Sequence, residues 1–199
     1  MEILKLALVG KDYLWGGTRL RGNFGKQRDL NPLAETWECS VHPDGQSMIV
    51  NGRFAGMTLT DVLHQKPEYL GTKIGVNTEL PILVKFIAAK QNLSIQAHRD
   101  DEYAKYHEGN NGKTEMLYVL EAVSLIYGFE HPVTEDILRE AVESGVLDKH
   151  LHKVKVHKGD CYYVPIGMVL VIGAGALIVE IQASSNVTYC CLAASERLK

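Results

Sequence analysis

Gln96 and His98 lie two apart in Ser94-Ile95-Gln96-Ala97-His98. On a β-strand, residues two apart share a face, so the amide oxygen and the imidazole would aim at one point. Glu115 follows a turn containing Gly109 and Gly112 and opens an alternating segment, Thr114 to Glu121. A neighbouring strand about 4.8 Å away would bring its carboxylate to the same ion. Oxygen, nitrogen and oxygen from the protein, with positions left for water or substrate, suit a catalytic divalent metal better than a structural one. The alternative is ordinary: a strand-face histidine often serves as a hydrogen-bonded spectator.

A rival donor set lies in Lys149-His150-Leu151-His152-Lys153-Val154-Lys155-Val156-His157. His150 and His152 could share a face, but His157 has the opposite parity, and the interleaved lysines suit a solvated edge. Of the four cysteines, Cys39, Cys161, Cys190 and Cys191, none forms a C-x-x-C pair. The last two are adjacent, where a disulfide would be strained. They read as reduced thiols of a cytoplasmic protein, with a cysteine-based redox or zinc centre as the lesser alternative.

The elements that must hold these residues are mostly strands. The 199 residues are 46% hydrophobic and 23% charged, enough apolar material for a real core. A net charge of −3 argues against a nucleic-acid groove or a polybasic membrane surface. No stretch approaches the ~20 apolar residues of a membrane span, and the N-terminus lacks the pattern of a signal peptide. Short strands are expected at Thr36–Val41 and Ser47–Val50, and a core strand within Leu80–Leu93. Val154 and Val156 begin a further β-rich region, with CYYVP, VLVIG and ALIVEIQ after it. Helical insertions are expected near 58–70, opened by Thr58 and stopped by Gly71, and near 134–146. The second is capped by Thr134, striped by Ile137, Leu138, Ala141 and Val142, and ended by Gly145. A turn or two of helix falls at Asp100–His107. Many short strands with Gly and Pro turns around helical insertions indicate a mainly β chain, a jelly-roll sandwich.

Gly159 to Leu170 reads G-x5-P-x-G-x2-L, the spacing of a second cupin motif whose last position is normally a metal-binding histidine. Further pieces are Lys11-Asp12-Tyr13-Leu14-Trp15-Gly16-Gly17, Ala34-Glu35-Thr36-Trp37-Glu38, His42-Pro43-Asp44-Gly45 and Leu80-Pro81-Ile82-Leu83-Val84-Lys85. Leu93-Ser94-Ile95-Gln96-Ala97-His98, Gly112-Lys113-Thr114-Glu115-Met116 and Val187-Thr188-Tyr189 follow in order. Together they resemble the type I mannose-6-phosphate isomerases, in particular the short bacterial form, almost end to end. The resemblance implies a cupin-like fold and a zinc-dependent aldose–ketose isomerase that interconverts mannose 6-phosphate and fructose 6-phosphate. It implies that Gln96, His98 and Glu115 are three of four metal ligands, that Lys113 is a catalytic, substrate-lining lysine, and that Ser94 lies near the sugar phosphate. The base that takes the C2 proton is not identified.

The departures are specific. Leu170 stands where the fourth ligand is expected, and Cys190 where an active-site arginine is expected. Arg99, Leu117 and Ala183 replace a usual proline, tryptophan and glutamine. The family continues into a second, C-terminal cupin, whereas residues 1–199 read as one catalytic domain without it. The apolar tail from Cys190 to Ala194 is expected to cover exposed surface or to join a partner chain as a homodimer. Two other readings stay open: a catalytically inactive sugar-phosphate or metal-binding cupin, and an interaction fragment without metal.

Overall fold

The computed structural model describes residues 1–74, 79–121 and 124–192, the last two by backbone alone. The chain runs β1 (Leu6–Ala7), β2 (Val9–Lys11), α1 (Arg19–Phe24), β3 (Glu35–Cys39) and β4 (Met48–Ile49). Next come α2 (Leu59–Gln65), β5 (Ile82–Ala88), β6 (Ile95–Ala97), α3 (Asp101–Glu108) and β7 (Glu115–Glu121). β8 (Ser124–Phe129), α4 (Glu135–Glu143), β9 (Leu151–Lys155) and β10 (Cys161–Val164) follow. β11 (Val169–Ile172), β12 (Leu177–Ala183) and β13 (Tyr189–Leu192) complete the described chain.

Two antiparallel sheets form a mainly β sandwich. One has the order β10-β7-β12-β5-β3-β2, the other β13-β6-β11-β8-β9, and β1 pairs with β4 in a separate ribbon. β7 alternates as its sequence requires: Glu115, Leu117 and Val119 are buried while Met116 and Tyr118 are exposed. Leu117 and Val119 meet Leu170 and Ile172 of β11 between the sheets, in a cluster with Ile87, Leu125, Val164 and Ile178. All four residues of β11 are buried, because its other face is also covered. There Val169 and Val171 join Ile95 and Ile126 beneath Ala141, Leu138 and Val142 of α4.

The helices begin where their caps place them. The Thr58 hydroxyl accepts from the Asp61 amide at 3.0 Å and donates to its carboxylate at 2.7 Å. α2 is followed by a 3-10 turn at Pro67–Leu70 that ends at Gly71. Thr134 caps α4 through the Ile137 amide at 3.4 Å, and Gly145 takes a φ of 70° just beyond its end. One member of the expected stripe faces elsewhere. Ile137 is 39% exposed, since it lies about 100° around the helix from Leu138, which meets the sheet. At the other end of the chain, β13 adds an edge strand to β6. Ala193 and Ala194, the rest of the tail expected to cover surface, lie outside the described residues.

Candidate active site

The interior of the sandwich is aliphatic toward one end and charged toward the other. On the larger sheet, Glu35 and Trp37 of β3, Lys85 of β5, Glu180 and Gln182 of β12 and Glu115 of β7 are all buried. Antiparallel register sets Glu180 between Lys85 and Leu117, and Gln182 between Leu83 and Glu115. Residues directly opposite share a face, so these charges form one inward patch. On the facing sheet, Gln96 of β6 has Leu170 as its partner on one side and Cys190 on the other.

His98 follows β6 directly, and its side chain, like that of Glu115, has no solvent exposure. His98 Nε2 stands 3.4 Å from Glu115 Oε2. The expectation of a neighbouring strand is corrected here: β7 does not pair with β6 but lies in the opposite sheet. Glu115 therefore meets His98 across the sandwich. The connection through α3 makes this possible. Gly112 donates its amide to Asp101 at 2.8 Å, and the Lys113 amide reaches the Arg99 carbonyl at 3.3 Å. A Cβ on Gly112 would fall 2.6 Å from the backbone of Asp100 and Asp101, so only glycine lets the two segments approach this closely. Gly167, at a φ of 78°, donates its amide to the His98 carbonyl at 2.7 Å and fixes the other side.

Lysines and carboxylates alternate along the patch. Lys113 Nζ is 3.0 Å from Glu115 and 3.6 Å from Glu180. Lys85 Nζ is 3.0 Å from Glu180 and 3.4 Å from Glu35. Trp37 Nε1 donates to Glu35 Oε2 at 2.8 Å. Burial pushes the Glu115 carboxyl up, but Lys113 and His98 outweigh it and hold it well below the usual carboxylate range. At Glu180, burial and the nearby Glu115 push the carboxyl up, with the two lysines only partly offsetting them. Burial opposes the charge on Lys85, yet Glu180, Glu35 and Glu115 hold its ammonium firmly protonated.

A cavity of about 320 Å³ opens onto this patch, with Lys85, Gln96, Lys113 and Glu180 in its wall. Ser94 stands in the same wall, its hydroxyl 3.3 Å from the Cys190 thiol. The donors below the cavity fit a cation. Both ring nitrogens of His98 and the Glu115 Oε1 are buried without a hydrogen bond, which is costly unless something else satisfies them. The set is short, however. Among the described residues no three of His, Cys, Asp or Glu gather around one point. Gln96, buried in the cavity wall, is the remaining residue that the sequence offers as a donor. The fully buried Leu170 beside it belongs to the aliphatic core and offers none.

The family model described as phosphomannose isomerase type I, catalytic domain, matches residues 3–131. The chain belongs to this family. It is 40% identical over 190 residues to the probable mannose-6-phosphate isomerase GmuF of Bacillus subtilis, covering 94% of this chain and 59% of that one. The crystal structure of the mannose 6-phosphate isomerase from Bacillus subtilis superposes with a TM-score of 0.90 at 34% identity, over 96% of this chain and 61% of that one. The chain thus spans about three-fifths of the length of these two relatives. A mannose 6-phosphate isomerase crystallised with zinc and yttrium shares the fold, with a TM-score of 0.70 at 18% identity over 96% of this chain and 70% of that one.

Within this phosphomannose isomerase fold, Gln96, His98, Lys113 and Glu115 lie together inside, and Ser94 stands at the cavity wall. The rival histidines do not gather: His152 is 3.1 Å from Glu130, His157 is 3.6 Å from Asp160, and His150 faces His131. Cys39, Cys161 and Cys190 are free. Lys85, Glu180 and Glu35 were not singled out from the sequence. The signal for Lys85 and Glu180 was present as single charges at inward parity in apolar strands, Ile82-Leu83-Val84-Lys85-Phe86-Ile87 and Leu177-Ile178-Val179-Glu180-Ile181.

Proposed function

We propose that this pocket, loaded with zinc held by Gln96, His98 and Glu115, interconverts mannose 6-phosphate and fructose 6-phosphate. The observation that carries the reading is the pair of buried, unsatisfied donors His98 and Glu115 under a cavity walled by two lysines. When bound, the metal supplies electrophilic polarisation of sugar oxygens. Lys113, buried and paired to Glu115, places a fixed ammonium where charge develops in the enediolate. Glu180 is the group we assign to the C2 proton. It lines the cavity, and burial with the neighbouring Glu115 pushes its carboxyl up, the direction that makes a carboxylate a better base. Ser94 offers a hydroxyl to the phosphate at the mouth. A cytoplasmic setting suits a sugar-phosphate substrate and free thiols, and no helix among the described residues is long and apolar enough to cross a membrane.

Leu170 and Cys190 support a second reading, a cupin that binds metal or sugar phosphate without turnover. A coupled assay on the zinc-loaded chain separates the two. The first reading expects slow conversion of mannose 6-phosphate that disappears in Glu115→Gln. Saturable binding of the sugar phosphate with no conversion would establish the second instead.

A further inference from the structure

The segment between β8 and β9, which carries α4, is closed at its neck by two imidazoles. His131 follows β8, and His150 precedes β9. His131 Nε2 and His150 Nδ1 face one another at 3.4 Å, with ring centroids 5.5 Å apart and planes inclined at 67°. That separation is long for an N–H···N hydrogen bond, whose optimum lies near ~3.0 Å. It matches two nitrogens bound to one tetrahedral ion, which at metal–nitrogen lengths of ~2.0–2.1 Å lie about 3.3–3.4 Å apart. The rings meet edge to face, an arrangement that aromatic pairs favour and that already holds the two nitrogens close together.

We propose that His131 and His150 form an external site for a borderline divalent cation, zinc or copper, that clips the α4 insertion shut. The backbone is already set for this. Glu130 donates its amide to the His150 carbonyl at 2.9 Å, which pins the two segments side by side. The Glu130 carboxylate, 3.1 Å from His152, adds negative charge beside the pair. His131 is exposed and His150 half-buried, so an ion has access from solvent. Among the described residues no set of three His, Cys, Asp or Glu closes around a point. Two imidazoles therefore hold the ion and water completes its shell, which makes it exchangeable. The pair sits at the β8–β9 end of its sheet, whereas Gln96 lies on β6, so this site is separate from the interior one.

The clip has a structural consequence. The insertion it closes carries Leu138, Ala141 and Val142, which cover the outer face of Ile95, Ile126 and Val169. Those residues back the strands that bear Gln96 and Leu170. An ion that binds only the closed neck stabilises that cover by mass action.

The test is calorimetric titration and amide hydrogen exchange of the full chain in His98→Ala, which silences the interior site. Zinc is expected to bind at one equivalent, to raise the melting temperature with concentration, and to slow exchange in α4. Copper is expected to bind more tightly, and magnesium not at all. His131→Ala and His150→Ala, each added to His98→Ala, should both lose that equivalent and the exchange protection. Zinc uptake that survives both second substitutions would overturn the proposal. So would an absence of zinc uptake in His98→Ala itself, which would leave the pair as a hydrogen bond only.

Discussion

Lys113 is held at 3.0 Å from Glu115 and 3.6 Å from Glu180, with almost no solvent around it. An ammonium so placed is preorganised, and removing one such electrostatic stabiliser commonly costs ~10²–10³ in rate. Lys113→Met is therefore expected to lower turnover by about that factor while zinc binding persists, as read by parallel rate and binding measurements. Leu170 presents the opposite case, an aliphatic side chain packed in the core at the position where the family resemblance implies a fourth donor. Leu170→His together with Cys190→Arg should raise turnover above that of the parent chain. The metal-free double variant should melt lower, since an unpaired imidazole then sits in the aliphatic core, a penalty of about 1–3 kcal/mol. A variant no faster than its parent would show that these two positions do not limit the reaction. At this scale the sequence was partly legible. Parity marked Gln96 and His98 as candidates, and both are buried; the departures at Leu170 and Cys190 were visible as well. Lys85 and Glu180 escaped notice because one charge in an apolar strand resembles a residue turned to solvent until the sheet's two faces are known.

Caps and turns were the most legible elements, because their chemistry is local. Thr58 and Asp61 bond reciprocally at the start of α2, so Thr58→Ala should cost about 1 kcal/mol in urea denaturation. Thr134 and Asp100 mark the starts of α4 and α3 in the same way. Strand pairing was less legible. Alternation fixes which side chains of β7 face inward, but it says nothing about which sheet β7 joins, and Glu115 was expected beside β6 rather than opposite it. That partner choice rests on the α3 connection and on the close approach at Gly112. Gly112→Ala forces a Cβ to within 2.6 Å of the Asp100 and Asp101 backbone. Overpacking of this kind costs about 1–3 kcal/mol, and it acts on the segment that carries Lys113 toward Glu115. Both the denaturation midpoint and the zinc affinity should fall. A loss of stability alone, with zinc affinity unchanged, would detach Gly112 from the site.

Across the whole molecule, the sandwich keeps its aliphatic core toward β8 and β9 and its charged patch toward β3 and β6. The mainly β, jelly-roll class followed from many short strands with Gly and Pro turns, whereas the order of strands in each sheet depends on long-range contacts that no local pattern records. The larger sheet ends at β10, an edge whose outer face carries Met116, Tyr118 and Tyr163, the last 62% exposed. Exposed apolar residues beside an unpaired edge favour self-association, and we propose that a second copy pairs there. Light scattering over a range of concentrations should show a dimer that Tyr163→Glu dissociates, and a monomer throughout would refute it. The central claim, however, is the interior metal site, and zinc titration of the His131→Ala chain isolates it. The account predicts one equivalent of zinc, lost after His98→Ala, bound more weakly after Glu115→Gln and more tightly after Leu170→His. No zinc uptake, or uptake indifferent to His98 and Glu115, would contradict it.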